Sequence, residues 1–193
     1  MNIEIDDPLI PGTILRRKDM GNVTGMEFLN KIFYITDGIM LSQIRDISGI
    51  DGTTLQNWTK RGWVENSRLK RYSKDQLAHI LIINMLRSCM QLDRIAFLIR
   101  YINGSVQDRS DDIIHDAELY DYICRILDQL LEGGACSPEA LRSSISEATS
   151  AYVERVTGAR KRLERGLEII VLAYYASILK QHSDRLTECL MQR

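Results

Sequence analysis

Thr53, Thr54, Gln56, Asn57, Lys60 and Arg61 fall within nine residues of this chain. Their chemistry suits the groove of a nucleic-acid duplex. Gln and Asn amides can pair bidentately with adenine, and a threonine methyl can meet thymine. Lysine and arginine suit phosphate oxygens and position a protein on the duplex. A second cationic group, Arg68, Lys70 and Arg71, follows and ends at Tyr72. The three cations are read as phosphate contacts, and Tyr72 as core and hinge packing or a further phosphate donor. An ordinary solvated surface would use the same residue types.

Nothing comparable points to catalysis. His79, His115 and His182 stand apart from any HExxH or triad-like pattern, and no glycine-rich phosphate loop follows a strand. Asp108, Asp111, Asp112, Asp116 and Glu118 crowd together but lack the glycine and spacing of a calcium loop. Carboxylates at a solvated helix start, near the positive end of its dipole, account for them better. Cys89, Cys124, Cys136 and Cys189 form no CxxC pair and no Cys/His ligand spacing, so they are expected to serve as small hydrophobes. The expectation is a protein that is not an enzyme, with no catalytic residues, no metal and no cofactor.

The elements that must present the polar residues can be read in turn. Met40, Leu41, Ile44 and Ile47 share one stripe and predict a short helix over 39–48. Gly49 ends it, because glycine enters the left-handed region without a Cβ clash. Asp51 caps a second helix that runs to about Arg61 and stops at Gly62. Leu55 and Trp58 then face inward, with Ile50 and Trp63 near the same core, and the six polar residues face out. The stretch WVENSRLKRY suits a tight hairpin or loop carrying Arg68, Lys70 and Arg71. Ser73 with Gln76 reads as a capping box. The helix it opens buries Leu77, Ile80, Leu81, Met85 and Leu86, and another carries Ile95, Leu98 and Ile99 as far as Asn103-Gly104.

Residues 1–25 read as an extended arm, broken by Pro8, Pro11, Gly12, Gly21 and Gly25 and bearing a basic knot at Arg16, Arg17 and Lys18. Met26, Phe28, Leu29, Ile32 and Phe33 predict a helix that Thr36-Asp37-Gly38 breaks. Beyond Gly104 the character changes, and 105–110 is the candidate boundary. Residues 41–104 carry ten Lys/Arg against five Asp/Glu, a net +5, whereas 105–147 carry three against ten, a net −7. That asymmetry suggests a basic face for a polyanion beside an acidic helical part, although chance clustering on solvated faces gives the same figures. Three helices are expected there: 112–131, one opened by Ser137-Pro138-Glu139, and one from about Arg160 to Met191. The middle of the last, IIVLAYYASIL, is apolar all round and must be wrapped, in its own bundle or across a dimer interface. Tyr174 and Tyr175 are plain core or the lining of an apolar ligand pocket.

With 193 residues, 45% of them hydrophobic, the chain can bury a proper core, and its net charge of −1 carries no overall nucleic-acid signature. Its acidic start lacks the basic and apolar regions of a signal peptide. The longest uncharged apolar run, Ile169–Leu179, is well short of the roughly 20 residues a spanning helix needs. A cytoplasmic protein with no membrane partner is expected.

GIDGTTLQNWTKRGWV resembles, without a gap, the MerR-type pattern of an apolar turn, a Thr-Leu helix with aromatics and a Gly-aliphatic exit. RYSKDQL with the apolar helix behind it, and LDRIAFLI, resemble the rest of that winged helix. The layout, including the acidic DIIHDAELYDYIC, is similar to bacterial proteins of domain-of-unknown-function family 1836. The resemblance covers roughly residues 25–125. Two departures stand out: Gln56 and Asn57 replace the usual arginine and tyrosine, so a phosphate-clamping arginine is missing. The C-terminal part also lacks a single long dimerisation helix leading straight to a metal site.

The expected fold is therefore all-α and mainly helical. A MerR-like winged helix-turn-helix over 26–104 would be followed by a C-terminal helical bundle or dimerisation region over 105–193. The resemblance implies a transcriptional regulator that binds double-stranded DNA as a homodimer, its recognition helix being about Asp51–Arg61, with a small-molecule effector as a further partner. A protein-interaction adaptor on the same fold is the alternative, because such three-helix cores serve both purposes.

Overall fold

A computed structural model of the chain describes residues 8–105, 109–133 and 136–191. Among these, eight α-helices and one two-stranded sheet make an all-α protein. Helix α1 (Gly25–Ile32) leads through strand β1 (Ile39–Met40) into α2 (Leu41–Ser48) and α3 (Gly52–Lys60). Strand β2 (Arg71–Tyr72) then opens α4 (Lys74–Leu86) and α5 (Leu92–Asn103). Helices α6 (Asp116–Glu132), α7 (Pro138–Ala148) and α8 (Ala159–Met191) complete the chain.

Local chemistry sets most boundaries. The Asp51 carboxylate accepts from the Thr54 N–H at 2.8 Å and starts α3. Ser73 and Gln76 close the reciprocal box that starts α4, and Ser137 accepts from the Ala140 N–H at 3.1 Å ahead of Pro138. Gly49 takes φ of 71°, as the turn between α2 and α3 requires. Met40 leaves the stripe expected of it: it pairs with Arg71 in the sheet and is exposed, so α2 begins at Leu41. Helix α6 likewise begins at Asp116, four residues later than expected, leaving Asp112 and Ile113 in the preceding turn.

Helix α4 is the axis of the fold. Ten of its 13 residues are buried, among them Leu77, Ile80, Leu81, Ile82 and Leu86. Helix α6 packs against α1, α4, α7 and α8, burying Leu119, Ile123, Ile126, Leu127 and Leu130, each worth about 1.5–3 kcal/mol. One hydrophobic core runs from Ile10 to Val171, so the boundary expected at 105–110 does not divide two cores. Nor is 8–25 an extended arm. Ile10 and Pro11 are buried, residues 17–20 form a 3-10 turn, and the Tyr120 hydroxyl donates to the Pro11 carbonyl at 2.7 Å.

Helix α8 is 33 residues long, about 50 Å at 1.5 Å per residue. Only its first half is wrapped. Leu163, Leu167, Ile170 and Val171 are buried, whereas Ile169, Leu172, Leu179, Leu186 and Leu190 are exposed. No helix among the described residues is long and apolar enough to cross a membrane. Cys124 is buried as a small hydrophobe, but Cys89 and Cys189 are exposed thiols.

Candidate nucleic-acid interface

Helices α2 and α3 are joined by the turn Gly49–Asp51. Leu55 and Trp58 anchor α3 at 1% and 2% exposure, which turns Thr53, Gln56, Asn57, Lys60 and Arg61 outward, all five exposed. Thr54 differs from the expectation. Its hydroxyl donates to the Asp51 carboxylate at 2.8 Å, as its N–H does, so it belongs to the cap. Those two hydrogen bonds hold the Asp51 carboxyl below the usual carboxylate range.

The cationic stretch forms the tight hairpin that the sequence suggests. Arg68 and Arg71 exchange both backbone hydrogen bonds, at 3.1 and 2.9 Å, around Leu69 and Lys70. Both central residues have positive φ, 50° and 61°, the pattern of a type I′ turn that ordinarily calls for Asn-Gly. Leu69 and Lys70 therefore sit in a costly conformation at the tip, where Leu69 is 96% exposed. The Arg71 guanidinium donates to the Gly38 carbonyl at 2.8 Å, and Arg61 lies 5.0 Å above the Trp63 ring. Arg68 is 4.0 Å from Glu65. Lys60 and Lys70 have no ion pair among the described residues. Tyr72 is buried and packs in the core, so of the two roles considered for it the structure provides the packing one.

Behind this surface lies a buried charge cluster that pattern reading misses. His79 Nδ1 is 3.1 Å from the Asp116 carboxylate, and its Nε2 is 2.8 Å from the Trp63 carbonyl. Arg109 donates to the same Asp116 oxygen at 2.7 Å and to Asp112 at 3.1 Å. His79 is thus not isolated, and Asp116, 1% exposed, is not part of a solvated helix start. Both His79 nitrogens face acceptors, which the doubly protonated ring alone can satisfy. Burial pulls the His79 pKa down, but the Asp116 charge and hydrogen bond, with the Trp63 carbonyl, outweigh it and leave it raised. For Asp116, burial pushes up while His79 and Arg109 pull harder, and the net is lowered.

Other acids of this region also turn inward. Asp75 accepts from the Ala117 N–H at 3.0 Å and caps α6 from α4. Asp121 accepts from the Met26 N–H at 2.7 Å and caps α1, while Asp128 holds the Thr24 hydroxyl at 2.8 Å and the Arg17 guanidinium. Asp111 and Glu118 are exposed, and Asp108 lies outside the described residues. Among the described residues no group of three His, Cys, Asp or Glu could hold a metal ion. A cleft of about 1370 Å³ separates the hairpin from the start of α6, with Arg68, Arg71, Asp75, Asp112 and Glu118 along its walls.

The family match falls on this same part of the chain. Residues 27–123 match the family model described as a domain of unknown function, DUF1836. The chain belongs to this family. The matched span runs from α1 into α6 and contains all ten candidate interface residues and the His79–Asp116–Arg109 cluster. The chain is also similar to the uncharacterized protein YkrK of Bacillus subtilis (strain 168), 25% identical over 122 residues. That match covers 61% of this chain and 52% of YkrK, so the chain spans about half the length of that relative. No solved structure matches.

Proposed function

We propose that this DUF1836 protein is a MerR-like, DNA-binding transcriptional regulator that acts as a homodimer, with α3 in the major groove. One observation carries the reading: Thr53, Gln56, Asn57, Lys60 and Arg61 stand exposed on α3 and its C-cap, and the hairpin that follows carries at its tip Lys70, which has no ion pair among the described residues. Gln56 and Asn57 would read base edges, and Lys60, Arg61, Arg68 and Lys70 would hold phosphates. Arg71, tied to Gly38, would contribute its charge more than its hydrogen bonds. The chain has no catalytic role in this reading, and a bacterial DNA target places it in the cytoplasm.

An exposed stripe along α8 supports the dimer. Ile169, Leu172, Ala176, Leu179, Ser183, Leu186 and Leu190 are spaced alternately three and four apart, and every one is exposed. That is the seam of a coiled coil, with leucine at each d position. A second copy would cover it, and two heads related by a two-fold axis call for a palindromic site.

Duplex binding measured against salt tests the proposal. Affinity for random duplex should fall steeply as salt rises, and Lys60→Ala or Lys70→Ala should each flatten the logarithmic slope by about 1 for every sequence. Gln56→Ala or Asn57→Ala should instead change the sequence selected from a random pool. Binding that is indifferent to salt would overturn the reading. The adaptor alternative has its own observation: Tyr34 and Ile35 are 87% and 89% exposed beside Arg68 and Arg71. An adaptor would show neither the salt slope nor any response at Gln56 and Asn57.

A further inference from the structure

The cleft beside the hairpin mixes both signs of charge, but a second cavity does not. It has a volume of about 500 Å³ and lies between the N-terminal segment, the end of α4, α6 and the second half of α8. That falls within the roughly 300–1,000 Å³ of small-molecule sites. Its described lining includes Arg17, Arg87, Arg185 and His182, and no Asp or Glu. Arg17 is paired with Asp128, but Arg87 and Arg185 have no ion pair among the described residues. Met85, Leu127, Leu131 and Ile178 supply an apolar wall. Two buried polar atoms of the lining residues lack a hydrogen-bond partner: the donor Nε of Arg17 and the acceptor Oδ1 of Asn84. Both atoms are shut off from solvent, so neither opens onto the cavity.

We propose that this cavity binds an amphiphilic carboxylate, an anion with an apolar body, and that its occupancy reaches the α2–α3 turn through Asn84. The carboxylate answers the arginines, and the apolar body covers Met85 and Leu127. Asn84 is the link because its Nδ2 donates to the Gly12 carbonyl at 2.8 Å and to the Ser48 carbonyl at 2.9 Å. Ser48 is the last residue of α2, and the Ile14 N–H reaches the Ile47 carbonyl at 3.0 Å beside it. Only the consequence for DNA rests on the proposed function. Ligand binding and ordering of the turn do not.

Calorimetry on the full chain, with 3-hydroxydecanoate, decanoate and 1-decanol below their micellar concentrations, tests the site. Both anions should bind more than about tenfold tighter than decanol. Arg87→Ala and Arg185→Ala change exposed side chains, so the fold survives. Each should weaken both anions by about tenfold and leave decanol unchanged. Anions no tighter than decanol, or unmoved by the arginine substitutions, overturn the site. Bound 3-hydroxydecanoate should also slow hydrogen exchange at residues 47–50, and unchanged exchange overturns the coupling while leaving the site. None of these readouts uses DNA, so a failure of duplex binding is separately visible.

Discussion

Asp116→Asn bears most directly on the buried cluster behind α3. The Asp116 and His79 side chains are 1% and 3% exposed, so water screens their attraction little. Arg109 is about one-third exposed, and its share is discounted accordingly. Removing one partner of a buried ion pair costs about 3–5 kcal/mol. The asparagine amide keeps the shape and can still hydrogen-bond the ring, which points to the lower end, about 3 kcal/mol. For a chain of this size that lowers Tm by about 6–12 °C. The pH dependence is more diagnostic. A raised His79 pKa means stability that is fully present below the ordinary histidine value of 6.5 and is lost as pH rises through the higher folded value. A lowered Asp116 pKa means stability that is present above the ordinary 3.8 and is lost as pH falls through the lower folded value. The advantage of the parent chain over Asp116→Asn should therefore be largest between about pH 4 and 6.5 and shrink on both sides. Urea unfolding followed by circular dichroism across that range measures it. If the two unfolding profiles stay parallel from pH 5.5 to 8.5, the imidazolium assigned from the geometry is wrong.

The hairpin, helix α1 and helix α8 each give a simpler test. Leu69→Asn with Lys70→Gly places the residues a type I′ turn prefers at positions with φ of 50° and 61°. It should stabilise the chain by about 1 kcal/mol in urea while weakening duplex binding for all sequences. Asp121→Ala removes the acceptor of the Met26 N–H and should cost about 1–2 kcal/mol by thermal unfolding. Gly25→Ala should cost more than about 2 kcal/mol, since a Cβ there would stand 2.4 Å from the Asp121 carboxylate at φ of +54°. Leu179→Glu puts a charge in the α8 seam and should halve the mass seen by light scattering at micromolar concentration, with little loss of helicity.

What the sequence makes legible here is mostly local. Asp51, Ser73 with Gln76, and Ser137 announce their helices because a cap is written within four residues. The apolar spacing of Leu55 and Trp58 likewise gives the outward face of α3 directly. The sheet is not legible, because strands of two residues are too short to show alternation. Ile10 is lost for a related reason: one isoleucine in a proline frame has no periodicity, although it is fully buried. The His79 cluster fails differently. His79 and Asp116 are 37 residues apart, and a histidine within LAHILII carries no mark of its partner. Part of the acidic excess of 105–147 is hidden in the same way, since Asp116, Asp121 and Asp128 each meet a group on a distant segment, whereas Asp111, Glu118, Glu132, Glu139 and Glu147 stay exposed. The exposed seam of α8 is written in the sequence, but the all-round apolar run at its centre hides the three-four spacing.

The polar residues of α4 explain how the candidate interface is held. A helix with ten of 13 residues buried would ordinarily carry only apolar side chains on its inner faces. Three of its positions instead reach backbone carbonyls on either side of α3. Asn84 donates to Ser48 at 2.9 Å, before α3 begins. His79 is 2.8 Å from the Trp63 carbonyl, just after α3 ends, and Gln76 donates to Asn66 at 3.0 Å on the way to the hairpin. Helix α3 is only nine residues long, too short to be stable alone, and its outward face buries nothing. Its position is therefore set by Leu55 and Trp58 beneath it and by α4 gripping both of its ends. A ligand or proton that changes Asn84 or His79 acts on the backbone next to α3 without touching α3 itself. The two grips lie five residues apart on α4 and hold different segments, so Asp116→Asn should speed hydrogen exchange at residues 61–66 while leaving 47–50 unchanged. Equal acceleration at both ends would mean that α4 shifts as one body and that the two tethers are not independent.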